Sequence, residues 1–143
     1  MVHAISRLGT IMKILLVDAS DTFRKYLSER LRAVPGAMVV GQAGSEEQAV
    51  VTASLCAPDV VLADVELRTG SGFTALQRLR AGGFNGTAYL LTTADESEYG
   101  PQCVEAGIDG FYDKLLDLER LIQALTVLAT APKNFEAARI KLS

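Results

Sequence analysis

Two apolar runs in this sequence stop on a carboxylate. KILLV (13–17) ends at Asp18, and DVVLA (59–63) ends at Asp64. A third run, TAYLLTT (87–93), closes on Thr93, and a fourth, GFYD (110–113), is followed by Lys114. Two carboxylates, a hydroxyl and an ammonium share one chemical use. A carboxylate attacks phosphorus to form an acyl phosphate. The transfer needs a cation, usually Mg²⁺ held by carboxylates, backbone carbonyl and water, and donors for the phosphoryl oxygens. On that chemistry Asp64 is the nucleophile and Asp18 the metal-side acid. Thr93 and Lys114 are the donors, helped by backbone N–H groups after Asp64 and Thr93. Taken singly, each residue reads as readily as a solvated strand end, a β-former or a surface charge. The set means something only if a fold gathers it.

The elements expected to position these groups alternate along the chain. After the first strand (13–17), apolar residues at helical spacing run from Thr22 to Ala33, with Ser20 or Asp21 as N-cap and Pro35-Gly36 as stop. AMVVGQA (37–43) is a second strand. Ser45 with Gln48 three residues on is a capping-box pattern opening a helix to about Leu55. Pro58 precedes the third strand, 59–64. Gly70-Ser71-Gly72 breaks the chain before a helix from about Phe73 to Arg80 striped by Leu76 and Leu79, which Gly82-Gly83 ends. After the fourth strand (87–93), Pro101 opens a helix to about Ala106 and Gly107 stops it. The fifth strand (110–113) leads to a last helix from about Asp117 to Leu128.

Five βα units in strict alternation predict an α/β fold, a parallel sheet flanked by helices on both faces. Right-handed crossovers favour the five-stranded order 2-1-3-4-5, the flavodoxin-like arrangement. There strands one and three are neighbours, and ligands bind outside the C-terminal strand ends where the strand order reverses. Strand three is then central, so the tips carrying Asp18 and Asp64 meet at that crevice.

Composition narrows the partners. The chain has 143 residues, enough for one domain with a full core, and 49% of them are hydrophobic. A net charge of −3 leaves no basic footprint for nucleic acid or an anionic membrane. No apolar run is long enough to span a bilayer. His3 is the only histidine, which excludes a histidine-based metal site or a Ser–His–Asp triad. Cys56 and Cys103 read as buried free thiols, and with no export signal they indicate the cytoplasm. Met12-Lys13 resembles a natural start. Residues 1–11 are therefore expected to be a leader without fixed structure, 12–130 the domain, and 131–143 an extension or the start of a linker.

ILLVDAS, PDVVLADVELRTGSGF, LLTTAD and EAGIDGFYDK, in this order and spacing, resemble the receiver domain of two-component response regulators, the chemotaxis-regulator type of fold. The likeness runs from Lys13 to about Leu128. It implies that Asp64 accepts a phosphoryl group from a histidine kinase or a histidine phosphotransfer protein, with Mg²⁺ as cofactor. It also implies a switch in which an aromatic ring swings with the Thr93 hydroxyl; Phe111 takes that place and, lacking a hydroxyl, moves by packing alone. The surface around the fourth strand, the helix after it, the fifth strand and the last helix would repack to bind a downstream protein target or to form a homodimer. A hydrogen bond to a charged group contributes roughly 1.5–3 kcal/mol. Two, from Thr93 and Lys114, approach the ~5.5 kcal/mol that carries a two-state population from one extreme to the other.

The sequence departs from the family pattern at four places. Ala19 stands where a second acid usually binds the metal, so the Mg²⁺ site is expected to be weak, with Glu66 as a substitute ligand beside Asp18 and Asp64. Asp21 is a further metal-side candidate, read here as the cap of the first helix instead. Arg68 and Leu115 replace two prolines. Leu115 is expected to remove a cis bond, costly without proline, and to shift Lys114. Asp95, two places past Thr93, is positioned to affect how water reaches an acyl phosphate. Ala19 also keeps open a second function, a degenerate receiver serving as a phosphorylation-independent interaction module. A nucleotide-binding protein or a dehalogenase-type phosphatase fits less well, since no glycine-rich phosphate loop follows the first strand and position 20 is Ser. The chain is expected to act as a signalling domain, with at most self-catalysed phosphotransfer and dephosphorylation.

Overall fold

In the computed structural model, residues 10–93 and 105–131 are described. Strands β1 (Met12–Val17), β2 (Ala37–Ala43), β3 (Val60–Asp64), β4 (Thr87–Thr92) and β5 (Gly110–Asp113) form one sheet in the order β2-β1-β3-β4-β5. Every neighbouring pair is parallel. Helices α1 (Asp21–Arg30), α2 (Glu46–Cys56), α3 (Gly72–Ala81) and α4 (Leu118–Thr130) connect and cover it. This is the expected α/β arrangement. The helix expected over 101–106 falls outside the described residues except at its end, as do Asp95, Cys103, residues 1–9 and residues 132–143.

Alternation within the strands builds two cores. Ile14, Leu16, Val60, Leu62, Tyr89 and Leu91 pack, on one face of the sheet, against Leu27, Leu31, and Leu121 and Leu125 of α4. Leu15, Val17, Val61, Ala63, Ala88 and Leu90 face Ala49 and Ala53 of α2 and Ala75, Leu76 and Leu79 of α3. Because the central strands are covered on both faces, they read as unbroken apolar runs rather than as alternating ones. The two edge strands, β2 and β5, are mostly half-buried.

Helix starts follow the side chains. The Ser20 hydroxyl accepts from Phe23 N–H at 3.1 Å, so Ser20 caps α1, and Asp21 lies in the first turn. Ser45 accepts from Gln48 N–H at 3.2 Å, while the Gln48 side chain accepts from Gly44 N–H rather than from the cap residue. The first helix is shorter than its spacing suggested. It tightens to a 3₁₀ turn over Leu31–Ala33 before Gly36, whose φ of +80° suits glycine. Cys56 is a free, half-buried thiol rather than a fully buried one. Strand β4 stops at Thr92, one residue before its expected end, so Thr93 follows the strand and is exposed.

Candidate functional site

Register brings the strand tips together. Val17 pairs with Ala63, so Asp18 and Asp64 are the next residues on adjacent strands. Thr92 pairs with Asp113, so Thr93 and Lys114 are the next pair on β4 and β5. Side chains at matched positions of parallel neighbours share a face. Asp18, Asp64 and Lys114 therefore continue the rows of Leu16, Leu62 and Tyr112, on the side covered by α1 and α4.

Asp18 and Asp64 are buried, at 4% and 9% exposure. Each gives one oxygen to the chain two residues on: Asp18 Oδ1 accepts from Ser20 N–H at 2.8 Å, and Asp64 Oδ1 from Glu66 N–H at 3.1 Å. Those Asx turns fix the carboxyl planes and leave both Oδ2 atoms facing inward. Lys114 meets them there. Its Nζ lies 2.7 Å from Asp64 Oδ2 and 2.8 Å from Asp18 Oδ2. The first contact is an aligned hydrogen bond. The second has ion-pair distance without hydrogen-bond alignment, and no aligned donor among the described residues reaches that buried oxygen. The same ammonium stands 4.2 Å from the centre of the Phe23 ring.

Burial pushes the Asp64 carboxyl above its ordinary pKa, against the pull of Lys114 and the Glu66 N–H. For Lys114, burial works against the ammonium, but Asp18 and Asp64 together outweigh it and its pKa rises. The pocket therefore holds a more basic carboxylate beside a firmly charged cation.

Arg24 of α1 braces the rim. Its guanidinium donates to the Asp18 carbonyl and to Gln42 Oε1, the latter at 3.0 Å, and pairs with Asp21. Asp21 also pairs with Arg68 at 3.0 Å, and Arg68 N–H donates to the Gly44 carbonyl. Asp21 is thus tied up by two arginines.

Not every candidate converges. Glu66 is exposed and bridges to Ser71, and among the described residues no three His, Cys, Asp or Glu side chains gather as a metal site. Phe111 is half-buried against the core on the opposite face of the sheet from Lys114. The loss of proline at 115 does not move Lys114 away from the carboxylates, and no described peptide bond is cis.

Gly72 is a residue that sequence reasoning took only for a chain breaker. A Cβ there would stand 1.9 Å from the Asp64 carbonyl oxygen, and Gly72 N–H donates to the Val65 carbonyl at 2.9 Å. The start of α3 therefore presses directly on the backbone of Asp64. The Gly-Ser-Gly spacing was the available signal.

The family model described as response regulator receiver domain matches residues 14–126. The chain belongs to that family. Receiver domains are signalling domains of two-component systems, and they typically bind Mg²⁺ at their acidic pocket. The nitrate/nitrite response regulator protein NarP of Escherichia coli is 31% identical over 127 residues, covering 89% of this receiver and 59% of NarP. The receiver spans a little over half the length of the curated relatives it matches. A two-component response regulator of the LuxR family from Aurantimonas sp. superposes with a TM-score of 0.77 at 24% identity, over 93% of this chain and 99% of that one. The CheX–CheY–BeF₃–Mg²⁺ complex from Borrelia burgdorferi gives 0.75 at 19% identity, over 87% and 99%. These two show a shared fold. No helix among the described residues is long and apolar enough to cross a membrane.

Proposed function

We propose that this receiver accepts a phosphoryl group on Asp64 from a histidine kinase or histidine phosphotransfer protein and relays it as a changed protein-interaction surface. The observation that carries this reading is Lys114 Nζ standing within 2.8 Å of both Asp64 and Asp18 in a buried pocket. An Asp64 oxygen attacks the phosphorus, an O–P bond forms, and the P–N bond of the phosphohistidine breaks. The imidazole keeps the electron pair and takes up a proton. Lys114 donates to a phosphoryl oxygen as it leaves the carboxylate, and Thr93, beyond the end of β4, supplies the second donor. Phe111 responds through packing, and the surface of β4, β5 and α4 meets a downstream protein target or a second copy. Self-catalysed transfer and hydrolysis are the only enzymatic steps assigned.

Asp18 and Asp64 fit a divalent cation as a two-carboxylate site. Their Oδ2 atoms lie close enough to share one Nζ, and among the described residues Asp18 Oδ2 has no aligned donor. Bound there, Mg²⁺ would neutralise charge on the transferring group. With Ala19 in place of a third acid and Glu66 exposed, the affinity is weak. The phosphodonor protein docks beside the pocket, where Phe23, Tyr26, Leu115 and Leu118 line a concavity of about 450 Å³. Residues 12–130 are the receiver, 1–11 a leader and 131–143 an extension or linker, working in the cytoplasm.

Incubation with acetyl phosphate or phosphoramidate and Mg²⁺, read by intact mass, tests this. One phosphoryl mass is gained and is lost in Asp64→Asn. No gain across a wide Mg²⁺ range leaves the second reading, a phosphorylation-independent interaction module. The lack of a three-acid group among the described residues favours that alternative.

A further inference from the structure

The turn after β5 is built without proline, and two aspartates build it. Asp113 Oδ1 accepts from both Leu115 N–H at 2.8 Å and Leu116 N–H at 2.9 Å. Asp113 N–H in turn donates to Asp117 Oδ2 at 2.9 Å, and Asp117 N–H donates to the Asp113 carbonyl at 3.0 Å. Four bonds thus close on five residues, and Lys114 lies inside the closed segment.

Asp117 occupies the N-cap position of α4, yet its side chain makes no capping bond to that helix. An aspartate there ordinarily satisfies the first free N–H groups of its own helix. This one turns back to the strand instead, while Arg120 holds it from the other side at 3.1 Å and lies over the Tyr112 ring. The cap has been diverted to the turn.

The consequence is directional. With two successive N–H groups bound to one carboxylate oxygen, Leu115 and Leu116 project into solvent, at 76% and 84% exposure, while the Lys114 side chain points inward to Asp64. Lys114 N–H donates to the Thr92 carbonyl, which fixes the other end of the segment to β4.

We infer that Asp113, backed by Asp117, is a positioning residue that aims Lys114 at the phosphoacceptor, doing by side-chain hydrogen bonds what a proline turn would do by covalent geometry. Its effect on phosphorylation rests on the function proposed above; its effect on where Lys114 points does not.

Two measurements on the full chain separate these. Lysine acetylation by an N-hydroxysuccinimide ester, followed by peptide mass spectrometry with exposed Lys25 as internal reference, reads the shielding of Lys114. Asp113→Ala raises the Lys114 rate about tenfold, as expected when a charged bond is released; Asp113→Asn, which keeps an accepting oxygen, stays near wild type. The phosphoramidate rate falls about tenfold in Asp113→Ala, in line with the sensitivity of transfer to small misplacements. It does not fall further when Asp113→Ala is added to Lys114→Ala. An unchanged Lys114 acetylation rate in Asp113→Ala overturns the inference, as does an added loss of phosphorylation in the double variant. If Asp113→Ala does not fold by circular dichroism, Asp113→Glu, whose carboxylate stands one methylene farther from the Leu115 and Leu116 N–H groups, decides by the same criteria. Absence of phosphorylation in the wild type defeats the proposed function and leaves the acetylation result to judge the turn.

Discussion

Lys114 and Asp64, fifty residues apart in the chain, meet at 2.7 Å with both side chains largely shielded from water. One ammonium also serves Asp18, so a single cation balances two buried carboxylates. Removing one partner of such a group leaves uncompensated charge in a poorly hydrated place. Lys114→Ala is expected to lose about 3 kcal/mol of stability at neutral pH, measured by urea unfolding. A loss indistinguishable from zero would mean that water already screens the pair.

The raised Asp64 pKa makes stability depend on pH in a defined direction. Between the ordinary value near 3.8 and the higher folded value, the native state binds a proton that the unfolded chain has released. Stability contributed at this position therefore falls as pH rises through that window. Asp64→Asn cannot titrate. Its stability relative to wild type should improve from pH 3 to pH 7, as followed by chemical denaturation at each pH. A difference that is flat, or that moves the other way, contradicts the assignment of burial as the dominant cause.

Ala19→Asp adds an acid next to Asp18. The extra negative charge is expected to lower the thermal midpoint without metal and to raise the Mg²⁺ affinity at least tenfold, about 1.4 kcal/mol. Calorimetric titration reads the affinity, and added Mg²⁺ should restore the midpoint by mass action. Equal affinities for the two proteins would place the weakness elsewhere.

Gly72→Ala drives a methyl group into the Asp64 carbonyl, a contact of 1.9 Å that neither backbone can absorb without moving. Overpacking of this kind costs about 1–3 kcal/mol or more. The displacement should also reduce the phosphoramidate rate more than Gly83→Ala does, since a Cβ at Gly83 meets nothing within 4 Å, although its φ of +105° adds local strain. Equal rates for the two variants would show that the start of α3 does not set the position of Asp64.

Much of this protein was legible from the chain because its signals are local. From Ile14 to Val17 and from Val60 to Ala63 the runs before Asp18 and Asp64 are apolar since both faces of β1 and β3 are covered, and Ser20, Ser45 and Gly36 mark helix ends by side-chain or backbone chemistry that needs no distant partner. Strand order followed from alternation and handedness, and with it the meeting of Asp18, Asp64 and Lys114. Three-dimensional packing decided what spacing leaves open. Glu66 stays in solvent because the Asx turn at Asp64 takes its N–H and a bridge to Ser71 holds its backbone. Ser20 takes the cap of α1, which leaves Asp21 in the first turn to pair with Arg24 three residues on and with Arg68 far along the chain. Lys114 keeps its aim without proline because Asp113 and Asp117 close the turn around it. The turns at Asp64 and Asp113 join residues only a few places apart, but which of their possible hydrogen bonds form is set by the packed strand ends. The Asp21–Arg68 pair spans 47 residues, which a reading of neighbours along the sequence does not contain.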